Sequence, residues 1–180
     1  NLMFDAGTMV TPFSHVMLLL TFVAVFGYDY LYSSNLIKDV KIMTIVTFVL
    51  IGGIIYLMKF YGGFGYRAFN IHLGALFGTN MAFNVWFRIW PAQQKIITAI
   101  KNGEAPDGDL AALAGLRSKH NTYMSVPLIW TMMNQHTTLF AGGEFGITES
   151  TNWLVLVIMI ALGWHVVWQI YKKSGTIKGF

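Results

Sequence analysis

Five long apolar runs dominate this chain, near Pro12–Tyr32, Val40–Phe60, Ala68–Trp90, His120–Phe140 and Asn152–Tyr171. Each approaches the length, about 20 residues of helix, that crosses the hydrocarbon core of a bilayer. Only 11% of the residues are charged, where an average soluble domain carries about a quarter. Too few charges remain to cover a surface that faces water, so lipid is the expected solvent. The fold class is therefore all-α, a polytopic transmembrane helix bundle of five spans that forms a single domain over residues 1–180. Small and polar residues punctuate the runs: Ser33-Ser34-Asn35, Gly62-Gly63-Phe64-Gly65 and Gly142-Gly143. Neither a basic n-region nor a small-residue cleavage site precedes the first run, so it reads as a span and not as a signal peptide. The chain begins at Asn1 rather than a methionine, which predicts processing or a longer parent chain.

The third connection, residues 91–119, is the long one, with two short helical patterns. Pro91 suits a first helical position, followed by Gln93, Ile96, Ile97 and Ile100, with Gly103 as a stop. Asp107 or Asp109 can cap a second stretch through Leu116. Both are expected to lie along the membrane surface on the cytoplasmic side.

Basic residues mark the cytoplasmic side of a membrane protein. Lys38, Lys41, Arg88, Lys95, Lys101, Arg117, Lys119, Lys172, Lys173 and Lys178 fall on one side, and Lys59 and Arg67 on the other. This predicts an external N-terminus and a cytoplasmic C-terminus. The formal charge of +4 then belongs to the lipid-facing inner surface and calls for no nucleic-acid partner.

The absence of cysteine excludes disulfides, thiolate metal sites, iron–sulfur clusters and covalent c-type haem. Any metal must use His or Met. By the helical rise, His15, His72 and His136 share one external depth, while His120 and His165 lie toward the inner leaflet. Ionisable groups within spans are costly and usually functional. One reading is a haem b held between helices with His72 and His136 on the iron, His15, His120 and His165 being alternatives. The other is interfacial histidines bonded to headgroups or carbonyls. Thr131, Asn134 and Gln135 could orient His136 through its second nitrogen. Gly74 and Gly78, in G-x-x-x-G spacing, would let a flat cofactor or another helix come close.

Asn80, Asn84 and Arg88 follow at intervals of four and form a polar stripe facing the bundle, with Asn121 on the fourth run. The stripe is either a substrate, quinone or proton path, or simple interhelical hydrogen bonding with Arg88 reaching for headgroups. Asp29, in Tyr28-Asp29-Tyr30, reads as interfacial. No phosphate loop, H-E-x-x-H or Rossmann glycine pattern is present.

His72-Leu73-Gly74, Gly78-Thr79-Asn80-Met81, Asn84-Val85, Ile89-Trp90-Pro91-Ala92-Gln93 and His120-Asn121-Thr122-Tyr123 form a specific pattern. Over residues 67–136 it resembles the membrane domain of the bacterial urate hydroxylase family, the membrane-bound type with a fused cytochrome c; the flanking spans match loosely. The resemblance implies a multi-pass protein of the bacterial cytoplasmic membrane that oxidises urate and passes electrons to a cytochrome c outside. His72, Asn84, Gln93, His120, Asn121 and His136 match the motif. No C-x-x-C-H occurs before Phe180 and the spans are fewer than in the family's full membrane domain, so an electron partner on another chain and a missing upstream part are expected.

Three functions remain in view. The first is a haem b electron-transfer subunit of a larger redox complex, exchanging electrons with a cytochrome c, a quinone or a catalytic subunit near the external face. The second is a urate hydroxylase-like oxidoreductase without its fused cytochrome. The third is a structural membrane subunit without a cofactor.

Overall fold

The computed structural model describes residues 10–34, 36–137 and 139–176. All regular structure among them is helical: α1 (Pro12–Ser33), α2 (Val40–Phe60), α3 (Tyr66–Phe83), α4 (Trp90–Lys101), α5 (Gly108–Asn134) and α6 (Asn152–Ser174), with a π-helical turn over Asn84–Ile89. Local chemistry sets several of the starts. At α1 the Ser14 N–H donates to Thr11 Oγ1 and the Thr11 N–H to Ser14 Oγ, a reciprocal cap ahead of which Pro12 needs no donor. Asp39 accepts the Lys41 and Ile42 N–H groups at 2.7 and 3.1 Å to open α2. Asp107, and not Asp109, caps α5 by accepting the Asp109 N–H at 2.8 Å.

Helices α1, α2 and α6 are long and apolar enough to cross a membrane. Their outward faces carry Leu19, Phe22, Ile45, Val49, Ile158 and Leu162, all exposed. The inward faces are the more polar: Ser14, Thr21, Asn70, His72, Asn80, Asn84, Arg117, Thr131, Asn134 and Asn152 are buried. An apolar exterior around a core that mixes apolar and polar side chains is the arrangement expected when lipid is the solvent, because interior polar groups then bind helices together. Helices α3 and α5 form the antiparallel central pair, with α1 against α3 and α6 against α5 and α2. The N-terminal ends of α1, α3 and α6 gather at one end, here the Arg67 end; the C-terminal ends of α1 and α6 and the π turn gather at the other, the Arg88 end. Ser14 Oγ clasps the Arg67 end by donating to the Gly62 carbonyl at 2.7 Å. Gly62 is required there, since a Cβ would lie 2.8 Å from the Met58 carbonyl oxygen.

Three boundaries differ from expectation. The helix does not stop at Trp90–Pro91: α3, the π turn and α4 run without interruption from Tyr66 to Lys101. An α-helical proline clashes with the carbonyl four residues back and cannot donate to it. Here the wider turn absorbs that conflict, and the Trp90 N–H reaches five residues back to the Val85 carbonyl. Likewise α5 is one helix from Gly108 to Asn134, joining the expected short helix to the expected fourth span. Residues 91–119 are thus not a loop with two separate helices. They form the tip of a helical hairpin in which Ile89 and Ala92 pack on Leu110 and Ala114. At about 1.5 Å per residue, Tyr66–Lys101 is roughly 54 Å long, well beyond a hydrocarbon core of about 30 Å. The third difference is at the far end, where α5 stops at Asn134 and His136 lies in the following turn.

The helix directions bring Lys38, Lys41, Arg88, Arg117, Lys119, Lys172 and Lys173 toward the Arg88 end, and Lys59 and Arg67 to the other. Lys178 lies outside the described residues.

Candidate functional site

At the Arg88 end three elements place polar side chains against one another. The last turns of α1 supply Tyr28, Asp29, Tyr32 and Ser33; the π turn supplies Asn84 and Arg88; α5 supplies Arg117, His120 and Asn121, which share a helix face at i, i+3 and i+4. Asp29 is the hub. Arg88 binds it through a fork, Nε to Oδ1 at 2.9 Å and Nη2 to Oδ2. Arg117 Nη2 donates to Asp29 Oδ1 at 2.9 Å and to Ser33 Oγ at 2.8 Å. Arg117 is 1% exposed, and its guanidinium carbon stands 5.3 Å from the centre of the Tyr28 ring.

Beside this ion cluster runs an amide and hydroxyl chain whose donor directions can be worked out. Asn121 Nδ2 donates to the Met81 carbonyl (3.1 Å), so its Oδ1 must face Asn84. Asn84 Nδ2 therefore donates to Asn121 Oδ1 and to the Tyr28 hydroxyl, each at 2.8 Å. The Tyr28 hydroxyl hydrogen is left for His120 Nδ1, 2.8 Å away, which places the ring hydrogen of neutral His120 on Nε2. Tyr32 packs on the His120 ring at 4.4 Å between centroids and bonds Thr47 Oγ1 of α2 at 2.8 Å. Three buried polar atoms of the cluster find no partner among the described residues: Asn84 Oδ1, Arg117 Nε and Arg117 Nη1.

The residues singled out at the Arg67 end are arranged otherwise. His72 is buried against Phe64, and its Nδ1–H donates to the Ala68 carbonyl at 2.7 Å, leaving the lone pair on Nε2. His15 is exposed on α1 with Nδ1 at 3.2 Å from the Thr11 carbonyl, and His136 is exposed in the turn after α5. Between α3 and α5 this end is closed. Asn134 Nδ2 donates to Asn70 Oδ1 at 3.1 Å, and Thr131 occupies the space beside Gly74, where a Cβ would meet its Oγ1 at 2.5 Å. Gly74 thus serves helix packing, and a haem gripped between His72 and His136 does not fit this seam. Gly78 meets no neighbour. His165 is exposed near Gln169, and no group of three or more metal-ligating side chains occurs among the described residues.

Of the expected stripe, Asn84, Arg88 and Asn121 meet in the cluster, while Asn80 is buried with an unpartnered Oδ1 higher on α3. Gln93 is exposed on α4. The sequence reading missed Asp29, Arg117 and Tyr28 as members. A signal was there: Asp29 is an acid at the depth where Arg88 and Arg117 also fall, and such charges within a membrane seek one another.

Among family models, the one described as urate oxidase N-terminal matches residues 5–178. Searches of curated proteins and of solved structures returned no match.

Proposed function

This chain belongs to the urate oxidase N-terminal family, and from that premise we propose that it is a membrane oxidoreductase of the urate hydroxylase type whose chemistry is seated at the Arg88 end. The family match over residues 5–178 supports the reaction class. The location follows from the concentration there of ionised and amide side chains within otherwise apolar helices, which a membrane protein retains only where they serve a purpose. Arginine and amide groups are also the donors suited to a heterocycle rich in carbonyls. The distribution of basic residues supports five crossings with the Arg88 end toward the cytoplasm. Hydroxylation of urate by water releases two protons and two electrons, and the electrons leave one at a time to two equivalents of a one-electron acceptor such as a c-type cytochrome.

The deciding experiment is urate-dependent reduction of added cytochrome c by the purified protein, with urate consumption followed alongside. Turnover that is lost in Asn121→Leu and kept in His136→Ala is the expected result. No urate consumption under any acceptor would remove the assignment.

A second reading, an electron-transfer subunit with haem b, is favoured by one observation: His72 presents Nε2 as a lone pair with its other nitrogen anchored to a carbonyl, as metal-binding histidines usually do. It needs an iron partner other than His136 across the α3–α5 seam. A dithionite-reduced spectrum with no sharp α band would end it.

A further inference from the structure

We infer that the Arg88 end binds a small monoanion on Arg117, one that offers an anionic oxygen to the guanidinium and also carries an N–H or O–H. Charge is the first ground. Among the described residues Asp29 is the one carboxylate within ion-pair distance of Arg117, and Arg88 shares it through the fork. Two guanidinium groups against one carboxylate leave one positive charge in excess. Lys119, whose ammonium lies over the Tyr171 ring at 4.9 Å, adds to this surplus and does not relieve it. The second ground is hydrogen bonding. Arg117 is 1% exposed, and of the buried polar atoms without a partner among the described residues its Nε and Nη1 are the two that belong to a charged side chain, for which an unmade hydrogen bond costs most. Asn84 Oδ1, fully buried on the neighbouring side of Tyr28, is an acceptor without a donor. A ligand that accepts at one edge and donates at another answers both. The third ground is the π turn, which carries Asn84 and Arg88; such turns are frequent at functional sites.

The urate monoanion has this chemistry, with carbonyl oxygens beside ring N–H groups; so do bicarbonate and dihydrogen phosphate. That urate is the occupant rests on the proposed reaction, while the anion site does not. The test is the unfolding midpoint of the full chain in detergent, titrated separately with urate, sodium bicarbonate and sodium phosphate at constant ionic strength. Saturable stabilisation by urate is expected. It should weaken by about tenfold or more in Arg117→Gln, the loss of a charge-assisted hydrogen bond. Ser33→Asp brings a second carboxylate to Arg117 Nη2 without emptying the cluster, and should weaken binding similarly even if Arg117→Gln does not fold. Arg67→Gln, at the opposite end, should bind as the parent does. Stabilisation by bicarbonate or phosphate but not urate would keep the anion site and overturn the urate assignment. No saturable response to any of the three, or a response unchanged by Ser33→Asp, would overturn the site itself.

Discussion

The two ends of the bundle are both polar inside, and they differ in how their polar groups are satisfied. At the Arg67 end the partners are local or symmetrical. His72 and Asn70 reach carbonyls four residues back on their own helix, Asn134 pairs with Asn70, and Arg67 Nε donates to the Gln135 carbonyl at 2.9 Å. At the Arg88 end full charges meet from three elements and one carboxylate serves two arginines; buried polar atoms without a partner occur at both ends, Tyr66 Oη, Trp130 Nε1 and Asn152 Oδ1 at the first and Asn84 Oδ1, Arg117 Nε and Arg117 Nη1 at the second. Interhelical hydrogen bonds in a membrane typically contribute about 1 kcal/mol or less, enough to hold a seam. A surplus of charge holds no seam by itself and raises the cost of the interior. What sets the Arg88 end apart is therefore its surplus of charge and not its unpartnered atoms.

The largest expected effect breaks the Arg88 end. Asp29→Asn leaves Arg117 buried without its counter-ion and should cost roughly 3 kcal/mol, the low end for a broken buried pair because Arg88 is partly exposed. A shift of that size in unfolding by SDS titration checks it; a change within error would mean that the arginines are hydrated and the cluster is open. Next comes the Arg67 end. Gly74→Ala drives a methyl into Thr131 Oγ1 and should cost about 1–3 kcal/mol, with most of it recovered by adding Thr131→Ala. Failure of the second substitution to compensate would show that the seam is not what holds Gly74. Asn134→Leu removes the bond to Asn70 and should cost about 1 kcal/mol while leaving the response to urate intact. Loss of that response would join the two ends that the comparison sets apart. Smallest is His136→Ala, an exposed turn residue, for which a change below about 0.5 kcal/mol is expected in the same titration.

Much of the helix plan could be read from residues. Val40–Phe60 is bounded in the sequence by the glycines after it, and α2 covers those same residues, with the Asp39 cap at its start found in the structure. The starts at Pro12 and Asn152 were equally plain. The central pair resisted for a physical reason: proline and glycine are read as stops, yet a single π turn lets a helix pass Pro91, and no side-chain pattern announces one in advance. That error carried into the site. With 91–119 taken as a loop, Arg117 counted as a loop charge, when it stands on the continuous inner face of α5. The stripe of Asn84 and Arg88 was visible because its period is helical, and Asn121 because it lies next to His120. Depth along a helix was a poorer guide than direction around it. Helical rise assigns His15, His72 and His136 to one level, but of the three only His72 is buried, and no one-dimensional count distinguishes a buried imidazole from an exposed one.

The unbroken rod from Tyr66 to Lys101 also bears on how a chain of this kind can change its length. One residue added between Gly74 and Asn84 would turn everything beyond it by about 100° and carry Asn84 and Arg88 away from Asn121 and Asp29. The same insertion beyond Ala92 would rotate only the tip of the hairpin. Insertions and deletions are therefore kept by geometry out of the stretch from Gly74 to Arg88 and fall in the connections between helices or at the tip of the hairpin, where no register is carried into the cluster.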